Sequence, residues 1–440
     1  MLRERPGRTE LPAASSGTRT AAISLLVFLV GLAAALPLRT RQTIAGYELA
    51  LVVALIPAVL GWFRSRWFPN GFVPIAAFLA SWSIVSAVAI WEYTSLRRAL
   101  IFVTWMLVIV PGLTSLLSVQ LFRNAFLTGF AGGVTLCVFI AATRLARGVS
   151  VFDQDIGSDN FLFGVNRNAV NVRVVILIPI LLAGVGPRYL NRLRWPILAL
   201  CVLWIFSSGG RAGLLGFVVV LLVYGLLQPG VARRARMAYI LVLVALLGSV
   251  LFAEFGAESR TLDRLTATLR GERTDTDDTR TLLLKKARSL AAENPIFGVG
   301  YGKFRETHAD VVETADTERE RDLASTLQAH NTYAEFTADL GFPGGIAFVV
   351  LVLLLVGYGI SGRRHRETRA WLCAFAGLMV AMLFSTLREA SLYCTMAMVM
   401  ALVVERAERA RADTAPSLLS DAPAQEAADQ VVAARRFPSS

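Results

Sequence analysis

Three residues on separate segments have side chains suited to group transfer. Arg211 lies in "WIFSSGGRAGLLGF" (204–217), Arg280 in "DTDDTRTLLLKKARSLAAENP" (275–295) and His330 in "LQAHNTYAEFTADLGFPGG" (327–345). A neutral imidazole can take a proton near physiological pH, which suits a general base. A guanidinium offers a planar fork of donors that grips phosphate oxygens, so two of them suit a diphosphate. A diphosphate clamp beside a base is what glycan transfer from a polyprenyl diphosphate to a hydroxyl needs. Each residue also has a plainer reading. Arg211 could be an interfacial anchor whose stem snorkels to the headgroups. Arg280 could be a solvated arginine balanced by Asp275, Asp277 and Asp278. A lone histidine is often structural.

Neighbouring residues extend the set. In "FGVNRNAVNVR" (163–173), Asn166, Arg167 and Asn168 offer donors to a polar ligand or cap a helix start. Asn331 and Tyr333 follow His330 directly. Around Arg280, Leu283, Leu284, Ala287, Leu290 and Ala291 recur at helical spacing. This predicts an amphipathic helix with Asp278 as N-cap and Pro295 as its stop. Arg280 would then stand in the first turn, where free N–H groups and a guanidinium could share an anion. "DTD" at 275–277 resembles a metal–diphosphate motif of soluble glycosyltransferases. So short a match in an acidic loop arises by chance, and no Cys/His spacing suggests a metal, so neither metal nor cofactor is expected.

The elements that position these residues are membrane spans. The chain has 440 residues, 55% of them hydrophobic, and a mean hydropathy of +0.57. Its apolar residues come in blocks, and about 18 suffice to cross a bilayer as a helix. About twelve such blocks fall near 20–37, 46–63, 71–91, 99–119, 124–143, 169–186, 195–208, 212–228, 237–255, 342–360, 369–386 and 390–404. The first reads as an uncleaved anchor. The expected fold is all-α: a polytopic integral membrane protein with one large helical periplasmic loop. Residues 1–255 carry nine spans, 256–341 form the loop, 342–405 carry three more spans, and 406–440 form a disordered cytoplasmic tail. No internal repeat of the kind transporters use is visible.

Charge orients the chain. Arginine clusters at 3–19, 64–66, 188–194, 233–236, 363–369 and 406–411 fall on alternate sides of the spans, as one cytoplasmic face requires. The net charge of +12 is therefore a topology signal, and nucleic acid is not an expected partner. Cys137, Cys201, Cys373 and Cys394 all lie in apolar runs, where a thiol acts as a small hydrophobe and no structural disulfide is expected. A transporter would carry ionisable residues deep in its spans. Here the distinctive side chains lie outside them.

From about Asn166 to Gly345, "SSGGRAGLLGF", "DTRTLLLKKARSLAAENPIFGVGYGKF" and "HNTYAEFTADLGFPGG" resemble the O-antigen ligase and O-antigen polymerase membrane superfamily, and the ligases most. The resemblance implies a multi-pass enzyme of the bacterial inner membrane with its active site facing the periplasm. The donor would be a glycan on undecaprenyl diphosphate. The acceptor would be lipid A–core for a ligase, another lipid-linked repeat for a polymerase, or a protein for an O-oligosaccharyltransferase. It further implies metal-independent inverting transfer, with Arg211 and Arg280 on the diphosphate leaving group and His330 assisting the acceptor hydroxyl.

Overall fold

A computed structural model describes residues 13–36, 46–63, 71–146, 167–208, 211–228, 275–309, 327–384 and 390–414, together with residues 235, 238, 242 and 312. Helices α1 (Ala13–Ala35), α2 (Gly46–Trp62) and α3 (Phe72–Ala89) open the chain. α4 (Tyr93–Val103) runs through a π-helical segment (Thr104–Ile109) into α5 (Val110–Leu117), and α6 (Gln120–Ala146) follows. α7 (Arg167–Ala183), α8 (Arg188–Ser207) and α9 (Arg211–Leu227) come next, then α10 (Asp275–Glu293), α11 (Thr332–Ser361), α12 (Arg366–Phe384) and α13 (Ala390–Thr414). No strand occurs among the described residues. The fold is an all-α, multi-pass membrane architecture.

Eight helices are long and apolar enough to cross a bilayer, and three shorter apolar helices lie at Ala50–Trp62, Ala169–Ala183 and Ala212–Leu227. Every predicted block falls on one of these except 237–255, which lies outside the described residues apart from residues 238 and 242. Between helices the bilayer offers no hydrophobic driving force, so close packing at small residues must hold them together. α1 and α6 show this at Gly31 and Gly129. A Cβ on Gly31 would come within 2.2 Å of the Phe126 carbonyl oxygen, and one on Gly129 within 2.0 Å of that of Phe28. The four cysteines are buried thiols.

The two ends of the bundle differ in chemistry. At one end Arg123, almost wholly buried, pairs with Glu367 at 2.6 Å and Glu405 at 3.1 Å. Nearby, the Arg366 Nη2 donates to the Gly184 carbonyl at 2.7 Å. This is the end where several of the arginine clusters converge. α13 continues nine residues past the predicted tail start at 406. Arg406 Nε donates to the Leu402 carbonyl at 3.0 Å and Arg409 pairs with Glu405 four residues back, so the basic stretch propagates the helix instead of fraying it. At the opposite end lies the segment that contains the candidate site.

Candidate active site

α10 starts at Asp275, not after Asp278 as predicted. Asp275, Asp277 and Asp278 occupy the first turn, where acidic side chains complement the helix dipole. That moves Arg280 into the second turn, so any grip on an anion comes from its guanidinium and not from the helix's free N–H groups. The apolar face also differs by one residue. Leu282, Leu283, Ala287, Leu290 and Ala291 are buried, while Leu284 is 44% exposed. Leu282, Leu283, Ala287 and Leu290 pack with Val299, Phe304, Ala309, Val312, Ala329 and Ala338 into a cluster distinct from the main core. The loop segment thus has its own small core.

α11 is one element in two pieces. Gly341 sits at φ 68°, ψ −177°, a conformation only glycine adopts without strain, and breaks the helix there. The piece after the break, 342–361, is 20 residues, about 30 Å of helix and one bilayer core. The piece before it, Thr332–Leu340, stands against the loop. A Cβ on Gly341 would lie 2.2 Å from the Ile296 carbonyl oxygen, and one on Gly298 2.4 Å from the Asp339 carbonyl carbon. This contact lets Pro295–Phe304 run along the break. Val299 N donates to Ala338 O, Gly300 N to Asp339 O and Phe342 N to Pro295 O, all within 2.8–2.9 Å.

Asp339 fixes this loop with its side chain. Fully buried, it accepts the Gly302 N–H at 2.7 Å and the Phe304 N–H at 2.9 Å. Ser86 Oγ donates to the Phe297 carbonyl at 2.6 Å, tying the loop to α3, and Trp82 Nε1 donates to that of Leu340 at 2.9 Å, tying α11 to the same helix. Lys303 joins Glu92 and Glu306, and Arg98 meets Glu306 at 2.6 Å. "NPIFGVGYGKF" is therefore a braced strap across the mouth of α11.

His330 sits at that mouth, half-buried, with φ 49°. Ala329 before it is buried, and its N–H donates to Glu335 Oε2 at 3.0 Å. Asn331 after it caps α11, its Oδ1 accepting the Ala334 N–H at 3.0 Å. Burial, and then the nearby positive charge of Arg280, push the His330 imidazole down to about 4. The imidazole is thus neutral at pH 7, and the charge of Arg280 on α10 is felt at His330, just ahead of α11.

The other predicted residues are placed as follows. Asn331 spends its side-chain oxygen on the cap. Tyr333 packs on the apolar side of α11, its ring 5.8 Å from that of Phe348. Arg211 opens α9 and Arg167 opens α7, but neither side chain, nor that of Asn168, is among those described, and Asn166 lies outside the described residues. α9 packs on α7 and α12. Near Arg211, Ser208 Oγ donates to Asn171 Oδ1 at 3.1 Å, and both are buried. The Asp275 and Asp277 side chains are not described, and no metal-binding group of His, Cys, Asp or Glu occurs among the described residues.

Among the buried charges that sequence reasoning missed are Lys286, Glu335 and Asp339. Two signals could have revealed them. Lys286 falls among the apolar positions of the predicted amphipathic helix. Glu335 and Asp339 are four apart on one face, just ahead of the Gly341 break.

Against this geometry, the comparison with known families is specific. Residues 196–349 match the family model described as O-antigen ligase. The match supports a relation of this segment to the O-antigen ligase and polymerase superfamily. The matched segment spans Arg211, Arg280 and His330, the strap and the start of α11. No curated protein matches the chain. A solved structure described as "Structural coordination of polymerization and crosslinking by a peptidoglycan synthase complex" aligns over 78% of this chain and 98% of its own, with 15% identity and a TM-score of 0.39.

Proposed function

We propose that the chain is an O-antigen ligase: a glycosyltransferase of the bacterial inner membrane, facing the periplasm, that passes a glycan from undecaprenyl diphosphate to lipid A–core. The observation that carries this reading is a neutral His330, mounted at the start of α11 within reach of the Arg280 charge, inside the segment that matches the O-antigen ligase family model. In the proposed step the acceptor oxygen attacks the anomeric carbon opposite the diphosphate. The bond from that carbon to the diphosphate oxygen breaks, and undecaprenyl diphosphate leaves. His330 takes the hydroxyl proton, and Arg280 and Arg211 hold the charge that develops on the departing oxygens. Arg167, Asn331 and Tyr333 are further donor contacts in this proposal. One turn of in-line attack inverts the anomeric centre.

An imidazole held near 4 is a weak base, chiefly because it is buried and secondarily because of the Arg280 charge. A diphosphate on Arg280 offsets the second of these, so donor binding raises its proton affinity. The ratio kcat/KM for the donor reports the free enzyme and kcat the donor complex. The acidic limb of kcat is therefore expected at higher pH than that of kcat/KM. Profiles with the kcat limb at or below the other would contradict the coupling.

Lysine cannot reproduce a bidentate grip. Losing one charge-assisted bond of about 1.5–3 kcal/mol predicts transfer roughly 10–100-fold slower in Arg280→Lys and in Arg211→Lys, with the protein still inserted. Near-normal rates in both would remove the clamp. Because the guanidiniums do the work of a cation, transfer should also persist in EDTA. Recovery of a chelated enzyme only on adding magnesium or manganese would restore Asp275 and Asp277 as ligands.

Ligase and polymerase separate in a deletion strain examined by lipopolysaccharide gel. A ligase leaves polymer on the undecaprenyl carrier and none on the core. A core bearing one repeat identifies a polymerase instead.

A further inference from the structure

His330 holds a left-handed backbone conformation that few non-glycine residues adopt. It and Trp91 are the two non-glycine residues with positive φ among those described. Such a conformation is strained and persists only where its surroundings enforce it. Two clamps flank it. On the C-terminal side Asn331 caps α11, and the Glu335 N–H donates to the Asn331 carbonyl at 3.0 Å. On the N-terminal side the Glu335 carboxylate accepts the Ala329 N–H. One residue, Glu335, thus touches the chain on both sides of His330, with its backbone on one and its side chain on the other.

Glu335 is 3% exposed, and a buried carboxylate needs a countercharge. Lys286 of α10 supplies it. It is fully buried; burial pushes its ammonium down to about 8 while the Glu335 charge works against that shift, and its Nζ lies 5.0 Å from the Phe304 ring centroid. Phe304 is in turn held by Asp339. The two charges therefore join the helix that carries Arg280 to the helix that His330 precedes, inside the loop's own core.

We propose that Glu335 and Lys286 are a buried positioning pair that holds His330 in its left-handed conformation at the start of α11. The inference rests on the reading of His330 as the base, but its structural half can be tested without activity. With three histidines in the chain, the His330 imidazole can be followed by NMR in protein labelled at histidine. In Glu335→Ala the clamp on Ala329 is lost. His330 should then leave Arg280 and its buried seat, and titrate closer to the ordinary 6.5 than to 4. kcat should fall on the order of 10²-fold, the usual cost of a misplaced catalytic group, while donor Kd stays within about twofold. Glu335→Gln combined with Lys286→Met keeps an oxygen for the Ala329 N–H and removes both buried charges. It should fold, keep His330 near its parental titration and recover most of kcat. His330 titrating in Glu335→Ala as in the parent would overturn the proposal. So would a double variant that folds but whose His330 titrates near 6.5. If His330→Ala itself transferred normally, the base assignment would fail, while the NMR result would still decide the positioning role.

Discussion

His330→Ala is expected to transfer glycan about 10²–10⁴-fold more slowly than the parent, the range general base catalysis supplies. Donor binding should stay close to normal, because the arginines and not the imidazole grip the diphosphate. The rigid mount explains why the loss should be large. His330 is fixed by the α11 cap after it and by the Glu335 clamp before it, so no other group can swing into its place. His308, exposed in "FRETHADVV", is the internal control. His308→Ala should transfer at the parental rate. If both alanine variants transfer alike in purified protein, His330 is structural and its catalytic role is lost.

Asp339→Ala should produce the largest loss of stability. The carboxylate is fully buried and is the acceptor for two backbone N–H groups, of Gly302 and Phe304. Removing it strands both donors away from water at about 1–3 kcal/mol each, so roughly 2–6 kcal/mol in all. Asp339→Asn keeps one oxygen acceptor and should lose about half as much. The readout is thermal unfolding in detergent together with proteolysis of the loop, where the strap should be cut first. An Asp339→Ala protein that melts and resists protease like the parent would show that the strap is held by other contacts.

These two side chains show what the sequence made legible. Blocks of apolar residues have one outcome in a bilayer, so the helices were readable from length alone. Arg280 and His330 were readable because unusual residue types stood at the edges of those blocks. Asp339 and Glu335 were not. Their importance comes from which N–H groups lie opposite them: for Asp339 those of a strap some 35 residues earlier in the chain, for Glu335 that of Ala329 on the far side of His330. The start of α10 was misplaced for a related reason. Thr and Asp both cap and enter first turns, so "TDTDDTR" holds several equivalent starts, and the structure selects the one that places every acid in the first turn. Leu284 was assigned to the buried face because a 3.6-residue period does not fix which edge of an apolar stripe meets its partner.

The central claim is transfer of a glycan off a polyprenyl diphosphate at the Arg280–His330 pair. The most direct test is product analysis with the purified chain in nanodiscs, given an undecaprenyl-diphosphate glycan and lipid A–core. The account predicts glycosylated core and free undecaprenyl diphosphate in equal amounts, both dependent on acceptor and both lost in His330→Ala. Donor recovered intact in the presence of acceptor, or hydrolysed without any glycan reaching the core, would contradict it.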